Sequence, residues 1–177
     1  WVISHIRTLD THQIDRISKL GIHVTLQTNR WIADQGAELK RQLGPEREHE
    51  IVPLRSLSEA GVTFALASDN CPPSLFHPIW HCVARNHSGT GEVIAAEQRI
   101  TREEALRAAT INGAALTFEE NEKGSIEVGK LADLVVLSND PLTVAQDRLK
   151  DIVSELTIVG GKIVSWRPNS RFNNPAT

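Results

Sequence analysis

Leu57-Ser58-Glu59-Ala60-Gly61-Val62-Thr63-Phe64-Ala65-Leu66-Ala67-Ser68-Asp69-Asn70 is the stretch on which the reading of this chain turns. Leu54, Leu57 and Ala60 share one helical face, and Gly61 is the stop. The run Val62 to Ala67 is apolar along nearly its whole length, as expected of a strand buried on both faces. Asp69 then stands beyond the C-terminal end of that strand, where α/β folds gather their chemistry. A plainer alternative, an Asx-turn or helix N-cap closing the strand, fits the same residues.

The pattern occurs earlier too. Ile17-Ser18-Lys19-Leu20-Gly21-Ile22 matches Leu57-Ser58-Glu59-Ala60-Gly61-Val62 in residue character, and Gln27-Thr28-Asn29 falls where Ala67-Ser68-Asp69 does. The helix Thr11–Leu20, with Ile14, Ile17 and Leu20 on one face, leads through Gly21 into a strand over Ile22–Leu26. A repeated helix–Gly–strand unit with a polar exit indicates β/α repetition. With Trp1–Ser4 as a preceding strand, His5, Asn29 and Asp69 fall at the same end of three neighbouring parallel strands.

The connections differ in length. Trp31–Pro53 is polar, with one short helix expected near Ala37–Leu43; a connection this long is usually functional. Cys71-Pro72-Pro73 bars regular structure, Ile79–Arg85 reads as a short helix, and Asn86–Ala96 as a Gly-rich loop. Thr101-Arg102-Glu103-Glu104 is a capping box for a helix whose face carries Leu106, Ala109, Gly113 and Leu116. After Lys123 the character changes. A turn-rich segment enters a strand over Asp133–Leu137, and Leu156–Val159 and Lys162–Ser165 flank a Gly160-Gly161 hairpin turn. Asp133 is expected to order the strand entry. The expected division is a β/α body over 1–122, a small β module over 123–166 and a loose tail over 167–177.

Composition bounds the class. The chain has 177 residues, 40% hydrophobic and 23% charged, enough for one domain with an appendage. A net charge of −3 gives no reason to expect nucleic acid or anionic membrane as a partner. No apolar stretch approaches the length of a membrane span. Two cysteines, Cys71 and Cys82, make no disulfide framework, so a reduced, cytoplasmic setting is the default. The chain begins at Trp1, inside a strand, which reads as a fragment or processed product.

His5 and Asp69 are the leading chemical pair. An imidazole and a carboxylate at strand mouths suit a divalent metal such as zinc, and an aspartate there can also take a proton from water. A hydrogen-bonded core histidine is the alternative for His5. Two ligands fall short of the three that a catalytic zinc takes from protein. His77 and His81, spaced i, i+4 without an intervening Glu, suit a substrate-pocket wall better than a metal site. His12, His23, His49 and His87 read as surface or ordinary hydrogen-bonded residues, and Cys71 has no adjacent base.

Lys123-Gly124-Ser125-Ile126-Glu127-Val128-Gly129-Lys130-Leu131-Ala132-Asp133-Leu134-Val135-Val136-Leu137 resembles the segment where metal-dependent amidohydrolases of the family 3 branch return from barrel to β-sandwich. Asp140-Pro141-Leu142, Thr157–Val164, and Glu104-Ala105-Leu106 with Ala109–Ala115 extend the resemblance. It implies an α/β fold: about strands 6–8 of a TIM-like (β/α)8 barrel, then strands of a small β-sandwich. His5 resembles the strand-six histidine and Asp69 the strand-eight aspartate that binds metal and shuttles a proton. Gln27, Asn29, Asn70 and His77 correspond to substrate contacts. The implied activity is hydrolysis of non-peptide or cyclic amide C–N bonds in a small molecule, with one or two zinc ions. The family's remaining ligands would precede Trp1, so this chain alone is expected to be inactive. Its open barrel edges are expected to associate, for example as a homo-oligomer. The alternatives are a non-catalytic fragment or binding module that needs a separate N-terminal half, and a metal-free α/β binding domain.

Overall fold

Gly21 and Gly61 end their helices by the same arrangement of backbone hydrogen bonds. In the computed structural model, which describes residues 1–69 and 74–168, Ile22 N donates to Ile17 O at 3.1 Å and Gly21 N to Ser18 O at 3.0 Å. Val62 N donates to Leu57 O at 2.9 Å and Gly61 N to Ser58 O at 3.0 Å. Both are Schellman caps, and they require the left-handed backbone found at Gly21 (φ 61°) and Gly61 (φ 68°). Ser18 Oγ also donates to Ala60 O at 2.7 Å, joining the two helix ends. The sequence repeat is therefore a structural repeat.

These caps feed a parallel sheet of β1 (Val2–Ile6), β2 (His23–Leu26) and β3 (Phe64–Leu66), in that order. Val24 pairs with Ile3 on one side and Phe64 on the other. The helices are α1 (Thr11–Lys19), α2 (Gly36–Leu43), α3 (Leu54–Glu59) and α4 (Phe76–Ala84). Ile14 and Ile17 of α1, Leu54 and Leu57 of α3, and Val24, Leu26 and Phe64 of the sheet form one buried cluster. Burial of such side chains, at roughly 1.5–3 kcal/mol each, is the main stabilising term here. On the outer side of β1 the apolar residues stay open: Val2 is 43% and Ile3 42% exposed.

Several elements depart from the sequence reading. The strand expected over 62–67 is ladder-paired only at Phe64–Leu66. The first strand extends past His5 to Ile6, with an irregular register between Ile3 and Ile6. The segment after β2 winds into a π-helical turn, Asn29–Asp34. α4 starts at Phe76, three residues before the expected Ile79, and so takes His77 into the helix. The capping box at Thr101 forms as expected, but the helix it starts is two: α5 (Arg102–Ala109) and α6 (Ile111–Leu116). The break is at Thr110 (φ −130°, ψ −94°), whose Oγ1 donates back to Leu106 O at 2.8 Å. The bend lets Asn112 Nδ2 donate to Phe64 O at 2.9 Å, tying α6 to β3. The fully buried positions of α5 are Ala105 and Ala108, with Leu106 and Ala109 only partly covered.

The second sheet is antiparallel, β4 (Leu134–Leu137), β5 (Ser154–Val159) and β6 (Lys162–Trp166). Gly160 (φ 55°) and Gly161 (φ 77°) supply the paired positive φ values of a tight hairpin turn. Asp133 Oδ1 accepts from Gly160 N at 2.8 Å, so this residue orders the turn beside the strand it precedes. Ile163 and Val164 of β6 are both exposed, although they point to opposite faces.

Arg85 holds the far end of α4. Its guanidinium is fully buried and donates to four carbonyls: Ile94 at 2.6 Å, Val52 at 3.1 Å, Ile51 at 2.7 Å and Gln98 at 3.4 Å. Arg85 (φ 58°), Val52 (φ 41°) and Ala95 (φ 47°) all adopt left-handed backbone. The loops converge in strained conformations because one buried cation satisfies their carbonyls. Burial lowers its pKa to about 10, so it remains charged at neutral pH.

Candidate metal and substrate site

His5 at the end of β1 and Asp69 beyond β3 come together across the end of β2. His5 Nε2 lies 3.9 Å from an Asp69 carboxylate oxygen, and the two side chains are 56% and 44% exposed. Neither residue is glycine, yet both adopt left-handed backbone, at φ 62° and 51°. Such conformations cost of order 1–3 kcal/mol each and gather at functional positions. At His5 the turn follows the irregular β1 register, and its backbone N–H donates to Thr25 Oγ1 at 3.2 Å. Two ligands of a tetrahedral zinc, with bonds of ~2.1 Å, stand about 3.4 Å apart. An approach of about half an ångström would therefore let the pair share one ion. Among the described residues no group of three or more His, Cys, Asp or Glu side chains is arranged to hold a metal.

Beyond β2 the chain passes through Gln27 and Thr28, both buried, into the π-helical turn. Thr28 Oγ1 donates to Pro78 O at 3.3 Å, setting this turn against α4. Between them lies a cleft of about 660 Å³ whose walls include Asn29, Asp34, His77, Trp80, His81 and Lys150. His81 Nδ1 is 2.9 Å from Asn29 Oδ1. Burial, then the neighbouring His77 and Lys150, push the His81 pKa down to about 4, so the ring is neutral at pH 7. With the amide oxygen assigned there, Nδ1 donates and Nε2 carries the lone pair. Burial, followed by Lys150, lowers the His77 pKa as well, against a smaller opposing effect of Asp151. His87 closes the other end: its Nδ1 accepts from Thr90 N at 3.1 Å and its Nε2 donates to Asp34 O at 3.0 Å.

The amidohydrolase family model matches residues 2–165. The chain belongs to the amidohydrolase family. It is 35% identical over 173 residues to an N-substituted formamide deformylase of Arthrobacter pascens, which covers 95% of this chain and 31% of that protein. A metal-dependent hydrolase from Pyrococcus horikoshii superimposes with a TM-score of 0.70 at 21% identity, over 82% of this chain and 30% of that one. A zinc complex of atrazine chlorohydrolase TrzN from Arthrobacter aurescens gives a TM-score of 0.62 at 17% identity, over 98% of this chain and 38% of that one. The chain thus has an α/β amidohydrolase fold and spans about a third of the length of these relatives.

Within this amidohydrolase chain, four of the six residues expected at the site fall into two groups. His5 and Asp69 meet at the sheet end, while Asn29 and His77 line the cleft. Gln27 is buried and does not line the cleft, and among the described residues its Nε2 has no hydrogen-bond partner. Asn70 and Cys71 lie outside the described residues. The sequence reading missed Lys150 and Trp80. Lys150 belongs to a short 3-10 turn, Gln146–Asp151, and reaches the cleft because that turn packs on α4. No local sequence signal marks that contact.

Proposed function

We propose that this chain is the C-terminal part of a metal-dependent hydrolase of C–N bonds in non-peptide or cyclic amides. In this reading, residues 1–122 form about strands 6–8 of a (β/α)8 barrel and residues 123–166 contribute to a β-sandwich. Membership of the family supports C–N hydrolysis, and the deformylase among the relatives acts on an N-substituted formamide by its name. The observation that carries the site assignment is the 3.9 Å approach of His5 to Asp69 from strained backbone at one end of a parallel sheet.

His5 Nε2 and the Asp69 carboxylate would hold a divalent ion, zinc being the choice that suits an N and O pair. When bound, such an ion polarises a carbonyl and makes water a better nucleophile near neutral pH. Asp69 then takes the proton released by the attacking water and delivers it to the departing nitrogen. Half-exposure leaves its carboxylate accessible for both transfers. Asn29 and His77, with the neutral His81, line the space for the rest of the substrate. The open edge of β1, where Val2 and Ile3 are exposed on either face, supports further strands pairing there in the parent enzyme, and inactivity of this segment alone.

The test is turnover of the parent enzyme, carrying its preceding strands, against a panel of N-substituted amides. Asp69→Asn keeps the shape and removes the proton carrier, and should reduce kcat by at least about 10²-fold. Unchanged turnover would remove Asp69 from the mechanism.

A further inference from the structure

Lys150 stands out among the residues around the cleft. Its Nζ lies 4.6 Å from the centre of the Trp80 ring, and the His81 ring centre lies 5.0 Å from that of Trp80, the two planes tilted by 54°. Asp151, the adjacent carboxylate, is held by Arg148 at 2.8 Å. Asp34, the carboxylate residue in the cleft wall, belongs to the π-helical turn after β2. Among the described residues, Lys150 forms no ion pair with any of them. His77 and His81 face the same space, and each is harder to protonate chiefly because it is buried, with the nearby Lys150 adding to the effect. Trp80 supplies a flat, apolar support that holds the ammonium in place without neutralising it.

From this arrangement we infer that the Lys150 end of the cleft recognises a carboxylate on the substrate, remote from the bond that is broken. The inference rests on the reading of the cleft as the substrate space of a C–N hydrolase. A single ammonium flanked by two neutral imidazoles offers one positive charge, which suits a monoanion. A phosphate monoester would call for more cationic partners or a nest of backbone N–H groups. The neutral rings add hydrogen-bonding surface without competing charge, and the polar end at Asn29 accommodates an amide. The ligand class is therefore an N-acyl amino acid or a similar amide-bearing carboxylic acid.

The experiment compares N-acetylglycine with N-acetylglycinamide, which differ in the carboxylate alone, binding to the ¹⁵N-labelled 177-residue chain with chelator present. The readout is the Trp80 indole signal, assigned with Trp80→Phe. The acid should bind at least about tenfold more tightly than the amide. Lys150→Gln should erase that preference and Lys150→Arg should keep most of it. Equal affinities in the wild-type chain, no saturable shift with either compound, or an undiminished preference in Lys150→Gln would each overturn the subsite. Because the wild-type comparison needs no variant, a poorly folded Lys150→Gln leaves the inference testable. Metal is absent from the assay, so its outcome is separate from the hydrolase reading. A parent enzyme that turns over but shows no acid preference loses the subsite alone; acid preference without turnover loses the hydrolase assignment alone.

Discussion

His81 should make this fold sensitive to mild acid. Its imidazole is buried between α4 and the turn after β2, where burial lowers its pKa from 6.5 to about 4. Above pH 6.5 neither the folded nor the unfolded chain holds the extra proton. Between pH 6.5 and about 4 the unfolded chain binds it and the folded chain does not, so stability falls as pH drops through this window. Below about 4 the loss levels off. At about 1.36 kcal/mol per tenfold change in proton affinity, the full difference is about 3 kcal/mol. Other groups titrate in the same range, so the measurement is a comparison. Urea unfolding at pH 7 and pH 4 should cost the wild-type chain about 3 kcal/mol more than His81→Gln, which stays neutral and can still donate to Asn29. A directly observed His81 ring titration near pH 4 would agree. Parallel losses in the two proteins, or a ring midpoint near 6.5, would refute the burial argument.

Two further substitutions and a labelling experiment probe the scaffold. Arg85→Met leaves the carbonyls of Ile51, Val52, Ile94 and Gln98 without their buried donor and should cost at least about 3 kcal/mol in guanidinium unfolding; a loss below about 1 kcal/mol would show that water replaces it. Gly124→Ala places a Cβ 2.9 Å from Ile111 Cα at a residue with φ +91°, and should lower stability by about 2 kcal/mol, read from the same unfolding curves. Cys82 is fully buried, which pushes its thiol pKa up to about 12. Peptide mapping after iodoacetamide treatment at pH 8 should therefore find Cys82 unmodified until denaturant is added.

The helix–Gly–strand repeat was legible because a Schellman cap leaves a local mark: apolar residues flank a glycine that must adopt positive φ, as Gly21 and Gly61 do. From that repeat, with Trp1–Ser4 as a preceding strand, His5 and Asp69 could be placed at one end of a parallel sheet. Their meeting across β2 rather than at neighbouring strands depends on backbone turns at both residues, which composition does not encode. Arg85 was invisible for a similar reason. An arginine after a helix looks like a solvated C-terminal charge, and only the convergence of two loops buries it. The break at Thr110 was missed because the apolar spacing continues through it; the bond it permits, from Asn112 to Phe64, is a long-range contact that the spacing does not mark. Lys150 enters the cleft from a turn some seventy positions beyond Trp80, a contact made by packing and not by any motif.

The central claim is that His5 and Asp69 share one metal ion. The most direct measurement is an anomalous-difference map of the parent enzyme, recorded on both sides of the zinc absorption edge. The claim predicts a peak at roughly 2.0–2.2 Å from both His5 Nε2 and an Asp69 carboxylate oxygen. A zinc peak bonded to other residues, with either of these two beyond about 3 Å, would contradict it.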